Sequence, residues 1–154
     1  MTVPTETRDR YAHLTTLDTR WMDNDAYGHV NNVVYYSFFD TAVNRWLIAR
    51  GALDVTASPA IGLVVETQCR YLQPITFPDQ VTAGLRVAHV GRSSVRYEIA
   101  LFRNDEPTAA AVGHFVHVYV DRTTRRAVPV PDAVRAALAA LRLPLSEGST
   151  AALA

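Results

Sequence analysis

"RWMDNDAYGHVNNVVYYSFFD", residues 20–40, sets two unlike compositions side by side. Asp23 and Asp25 lie one residue apart beside the apolar Trp21–Met22 pair; Gly28, His29 and the Asn31–Asn32 pair then lead into a run of Val, Tyr and Phe. The "DNDAYGH" stretch is turn chemistry. Asn31 or Asn32 suits an N-cap, because its side-chain carbonyl can accept one of the free N–H groups of a first helical turn. No Pro or Gly interrupts residues 32–50, and Gly51 is a natural stop. The segment predicts a long helix. Val34, Phe38, Thr41, Ala42, Arg45 and Trp46 fall near one face, and Tyr35, Phe39, Val43 and Leu47 cover much of the remainder, a pattern that predicts burial on most sides.

Outward from this helix the period changes. Residues 11–21, rich in Thr and aromatics, alternate loosely and predict a strand. Downstream, Leu63, Val65, Thr67, Cys69 and Tyr71 share one parity against Glu66, Gln68 and Arg70, the mark of a strand with one core face and one polar face. The Pro-broken "PITFPDQ" separates it from an alternating strand over 81–90. The "GRSS" turn precedes another at 95–102, and "TAAAVGHFVHVYVDR" reads as a long apolar strand near the sheet centre. "PDAVRAALAALRL" predicts a short amphipathic helix with Pro131 near its start. Short turns between the last four strands predict a meander. A curved antiparallel sheet rolled around one long helix, class α+β, satisfies the whole pattern. Residues 1–10 read as a flexible arm, 11–143 as one domain and 144–154 as a flexible tail.

Composition narrows the function classes. The 154 residues carry 15 basic and 15 acidic side chains, so net charge is zero, which argues against nucleic acid or an anionic membrane as the main partner. Every basic residue is arginine, a side chain that can fork onto phosphate. Cys69 is the only cysteine, so no intramolecular disulfide forms, consistent with a reducing cytoplasm. The opening "MTVPTETRDR" is polar and unlike a signal peptide. No apolar stretch reaches the roughly 18 residues of a membrane span.

The residues quoted above resemble the 4-hydroxybenzoyl-CoA thioesterase-like acyl-CoA thioesterases of the hotdog fold. Residues 20–40 are similar to that family's strand–Asp–loop–helix signature, with Asp25, Gly28 and Asn31–Asn32 at matching spacings. "VVETQCRYLQPITFPDQVTAGLRV", "VGRSSVRYEI" and "AAAVGHFVHVYVDRTTRRAVPVP" resemble its later strands and turns, so the likeness spans roughly residues 11–140. It implies a five-stranded antiparallel sheet around the long helix. It further implies an edge strand at residues 61–72 that pairs with its copy in a homodimer or homotetramer, and active sites at the dimer interface; no cofactor is expected, since the residues offer no credible metal set.

Thioester hydrolysis needs a base or nucleophile at the carbonyl carbon and positive polarisation at the carbonyl oxygen. A helix N-terminus supplies the second through its free N–H groups and dipole. The resemblance points to Asp25 as the carboxylate, acting as nucleophile or general base, and to the backbone amide of Asn32 as the carbonyl donor. Gly28 would let the loop approach the substrate. Each residue also has a structural role open to it. Asp25 could simply build the turn, Asp23 reads first as a loop acceptor, and Asn31 and Asn32 read first as caps. His29 could tune Asp25 or bond within the loop, Tyr27 belongs to the same loop, and Tyr35, Tyr36 and Phe39 read first as core. Glu66 could reach a second subunit's site or face solvent. His114 and His117, on opposite faces of their strand, read as core or interface histidines. Arg92, Ser93 and Ser94, with Arg125 and Arg126, are candidates for the phosphates of coenzyme A. Asp23, Asp25 and His29 are poorly spaced for a metal, and none is expected. Three functions follow: an acyl-CoA thioesterase, an acyl-carrier-protein thioesterase, and a non-catalytic acyl-CoA-binding module. The usable carboxylate at the helix entrance favours the first.

Overall fold

The computed structural model describes residues 5–142. Five strands, β1 (His13–Asp18), β2 (Ala60–Tyr71), β3 (Gln80–Val90), β4 (Ser94–Arg103) and β5 (Ala111–Asp121), form one antiparallel sheet. It packs against a long helix, α1 (Asn32–Ala49), and a short one, α2 (Asp132–Leu138). This is the architecture the resemblance implies. No helix among the described residues is long and apolar enough to cross a membrane.

The strand order is β1-β3-β4-β5-β2. Only β3, β4 and β5 form the expected meander. β2 pairs with β5, so residues 72–79 are a crossover between sheet positions and not a hairpin turn. β5 is an interior strand, paired on both sides, but β4 holds the centre. β2 occupies the edge, as expected for residues 61–72.

α1 begins where Asn31 caps it, its Oδ1 accepting the Val33 N–H at 3.2 Å. It ends at Gly51, whose φ of +68° suits glycine. Tyr35, Phe38, Phe39, Ala42, Val43, Trp46 and Leu47 are buried in a single stripe. Val33, Ser37, Asp40, Thr41, Arg45 and Ile48 are exposed. The helix is therefore buried on one face and not on most sides, because a sheet of this curvature covers only one. Each large side chain in the stripe contributes about 1.5–3 kcal/mol. Close contact with the sheet depends on Gly113, where a Cβ would lie 2.7 Å from the Phe39 ring and 2.0 Å from the Gln68 carbonyl oxygen.

β2 departs from simple alternation. A bulge at Val65 shifts its register against β5. Thr67, Cys69 and Tyr71 oppose the helix-facing residues Phe115, Gly113 and Ala111, whereas Leu63 opposes Val118 on the other face. The single core face expected over Leu63–Tyr71 is therefore split. Within one chain it is also largely uncovered, with Leu63, Val64 and Val65 at 38%, 45% and 61% exposure.

The face turned away from α1 carries a second, smaller cluster of Tyr11, Ala100, Phe102 and Ala109. Tyr11 lies on Gly84, where a Cβ would come 2.8 Å from its ring. The chain before it is docked: the Ala109 N–H donates to the Glu6 carbonyl at 3.0 Å, and Arg86 pairs with Glu6 at 3.3 Å. Residues 6–10 are thus held to the sheet, whose outer face offers both an apolar patch and Arg86; residues 1–4 of the arm expected over 1–10 lie outside the described residues. The tail expected over 144–154 lies outside the described residues.

Candidate active site

Residues 20–31 form a loop braced by hydrogen bonds. A short 3₁₀ turn, Trp21–Asp23, is closed by Arg20. The Asp23 carboxylate, 1% exposed, accepts the Arg20 backbone N–H at 2.7 Å and its guanidinium at 2.9–3.0 Å. Asn24 Oδ1 accepts the Phe77 N–H at 3.0 Å, and the Val30 N–H donates to the Ile75 carbonyl at 2.7 Å. These bonds fasten the loop to the crossover. The Asn31 N–H donates to the Asp23 carbonyl at 2.8 Å, which sets the start of α1.

Asp25 sits at the turn of this loop. Its N–H donates to the His29 carbonyl at 2.9 Å, and its own carbonyl accepts the Gly28 N–H at 3.0 Å. Its Oδ1 accepts the Tyr27 N–H at 2.8 Å. Gly28 adopts a φ of +85°, which a side chain would strain. Asp25 Oδ2 has no hydrogen-bond partner among the described residues. In the first turn of α1, the Val33 N–H is taken by Asn31 Oδ1 and the Val34 N–H by the Asn31 carbonyl at 2.9 Å. The Asn32 N–H finds no acceptor among the described residues. Asp25, His29 and Asn32 line one open groove of about 360 Å³. A carboxylate and a helix N-terminal amide, each with one group left without a partner among the described residues, thus line one cleft.

The opposite wall comes from Tyr35, Tyr71, Leu72, Gln73 and Pro74. Tyr35 is both core and groove: it is 3% exposed, and burial raises its hydroxyl pKa. The sequence pattern did not identify the 71–74 wall, since only the crossover brings those residues to the helix start. The Pro-broken run after Tyr71 was the one local signal.

Other expected site residues lie elsewhere in the chain. Tyr27, at the loop tip, is 88% exposed. Glu66 is on the sheet face away from α1, 2.9 Å from His114 Nε2 and 4.0 Å from Arg96. Arg92, Ser93 and Ser94 occupy the β3–β4 turn at the far end of the sheet, where Ser94 opposes Val118, whereas the groove lies at the Tyr71–Ala111 end. The carbonyls of Arg92 and Ser93 are engaged by the N–H groups of Val130 and Tyr119. Arg125, with φ +63°, and Arg126 belong to the turn after β5 at that same far end. His117 is buried at 2% exposure, and burial alone pushes its pKa down to about 4. Cys69, facing α1, is pushed up to about 11 by burial and is no ready nucleophile. Among the described residues no three His, Cys, Asp or Glu side chains gather as a metal site.

The family model described as the Thioesterase-like superfamily matches residues 19–138, which include the whole loop, α1 and the sheet beyond it. The chain belongs to the thioesterase-like superfamily. This thioesterase is similar to the PA5185 protein of Pseudomonas aeruginosa PAO1, at 53% identity over 90% of this chain and 97% of that one, with a TM-score of 0.88. It is also similar to a Thermus thermophilus thioesterase solved with coenzyme A and zinc, at 34% identity over 88% and 98% of the two chains and a TM-score of 0.73. A Synechocystis 1,4-dihydroxy-2-naphthoyl-CoA thioesterase shares the fold, with a TM-score of 0.76 at 16% identity over 85% and 98%. No curated protein matches the chain.

Proposed function

We propose that this thioesterase hydrolyses acyl-CoA to the free acid and coenzyme A, in the cytoplasm. The observation that carries the reading is that Asp25 and Asn32 line one groove, where neither the Asp25 Oδ2 nor the Asn32 N–H has a partner among the described residues. The thioester carbonyl oxygen accepts from the Asn32 N–H at the positive end of α1. Asp25 either takes a proton from a water that attacks the carbonyl carbon, or attacks it directly to form an acyl–aspartyl anhydride that water then opens. In both routes the carbonyl oxygen carries the developing negative charge, the C–S bond breaks, and the thiolate of coenzyme A leaves and is protonated. Coenzyme A as the carrier is supported by the Thermus relative solved with it.

The reading includes a second copy. The twelve-residue edge strand β2 has unpaired backbone groups on one side and exposed Leu63, Val64 and Val65. Antiparallel pairing of two such edges makes a homodimer, the unit of a homotetramer as well. It sets the Ala60 end of one copy beside the Tyr71 end of the other. The partner's Arg92, Ser93, Ser94 and Arg125 then approach the groove from which this chain's own copies are remote, and are the candidates for the phosphates. Glu66, held by His114 within its own chain, is the weaker cross-subunit candidate.

Thiol release by the purified protein, in buffer containing EDTA, across short, long and aromatic acyl-CoAs tests this directly, with light scattering to give the assembly. Hydrolysis by at least a dimer is expected. Tight acyl-CoA binding without hydrolysis would mean a binding module, and activity on acyl-carrier protein alone would move the substrate. Loss of activity on chelation would replace Asp25 with a metal-bound water.

A further inference from the structure

The Asn32 N–H can polarise a carbonyl only if the first turn of α1 is held in one direction. Two bonds bracket that turn. On its N-terminal side the Asn31 N–H is tied to the Asp23 carbonyl at 2.8 Å. On its C-terminal side the Asn32 carbonyl accepts the Tyr71 hydroxyl at 2.9 Å, across 39 residues of sequence. Tyr71 is itself fixed. It is the last residue of β2, opposite Ala111, and the next two N–H groups, of Leu72 and Gln73, both donate to the Ala110 carbonyl at 2.8 and 3.0 Å. Its ring meets the buried Tyr35 edge-on at 4.8 Å between centroids. A phenol is a donor throughout the neutral range, so the link does not depend on pH there.

We infer that Tyr71 is a positioning residue, a strut from the edge strand that holds the Asn32 turn so that its free N–H points into the groove. The inference rests on the thioesterase reading above and deepens it, since it ties the end of the strand proposed to pair with a second copy to the group proposed to polarise the substrate. A fraction of an ångström matters here: oriented groups lose rate steeply when displaced, while binding through the rest of the substrate is retained.

Tyr71→Phe keeps the ring and its contact with Tyr35 and removes only the hydroxyl. We expect kcat to fall about tenfold with KM within about twofold and with the pH–rate profile unmoved. In the absence of substrate, hydrogen exchange at the bonded Val33 and Val34 amides should quicken about tenfold, with the rest of α1 unchanged. A merely structural role would instead raise exchange along the whole helix and lower Tm without separating kcat from KM. Unchanged kcat together with unchanged exchange at Val33 and Val34 overturns the inference. If the wild type hydrolyses no thioester, the parent reading falls, and the exchange measurement alone still decides whether Tyr71 holds the turn.

Discussion

His117 makes the stability of this fold depend on pH in a calculable way. Its ring is enclosed by those of Phe115, Tyr97 and Tyr119, at 4.7, 5.8 and 6.2 Å between centroids. Its Nδ1 has no partner among the described residues, and Gly62 leaves room for it, since a Cβ there would stand 2.8 Å from that nitrogen. Protonation in this setting is penalised by burial, which lowers the pKa from 6.5 to about 4. The folded pKa is depressed, so the unfolded chain binds the proton more readily. The stabilisation is complete above pH 6.5 and is lost as pH falls from there towards 4. At about 1.4 kcal/mol per pKa unit the full effect is about 3 kcal/mol, of which about 2 kcal/mol is lost between pH 7 and pH 5. His13 is also lowered, by burial and by Arg50, so the effect must be isolated as a difference. His117→Phe preserves the ring packing and cannot titrate. Urea unfolding of both proteins at pH 7, 6 and 5, at one protein concentration, gives the comparison. The wild type should lose about 2 kcal/mol more than the variant over that span. Parallel stability curves for the two proteins would show that His117 is hydrated or paired in solution and would refute the argument.

Two further perturbations separate chemistry from scaffold. Asp25→Asn should lower kcat by at least about 100-fold with little change in Tm, because it removes the carboxylate proposed as base or nucleophile, whose Oδ2 makes no hydrogen bond among the described residues. Asp23→Asn should do the converse first: losing the buried charge that pairs with the exposed Arg20 should cost about 1–3 kcal/mol in denaturant unfolding, with activity lost only as the loop loosens. Retained turnover in Asp25→Asn would move the chemistry to another carboxylate. Gly113→Ala should destabilise by about 3 kcal/mol or more, since its Cβ would meet both the Phe39 ring and the Gln68 carbonyl; a variant as stable as wild type would mean that α1 stands further from the sheet.

What was legible in the sequence was local. The Asn31 cap, the Gly51 stop, the alternation in β3 and β4 and the Pro131 start of α2 each depend on neighbours a few residues away, and each is found in place. The resemblance carried the rest of the fold and the Asp25–Asn32 pair. What could not be read depends on chain reversals. The β2–β5 pairing, the Val65 bulge that changes which face Leu63 takes, and the arrival of Tyr71 at the first turn of α1 all follow from partners tens of residues distant. The one-sided burial of α1 is hidden in the sequence because Val33 and Ile48 are apolar yet face outward, where a single chain offers them nothing.

The strand order also sets a schedule. β2 is complete at Tyr71, but the strand it pairs with among the described residues begins only at Ala111, forty residues later, and runs to Asp121. At about 5–20 residues per second, a ribosome leaves β2 without that partner for about 2–8 s. β3, β4 and β5, joined by short turns, close far sooner once made. The hypothesis that follows is an order of assembly in which the hairpin strands form first and β2 docks last, tied down at one end by its tyrosine. Pulse-labelled hydrogen exchange during refolding should then protect the amides of β3 and β4 before those of residues 60–71, and simultaneous protection would dismiss the idea.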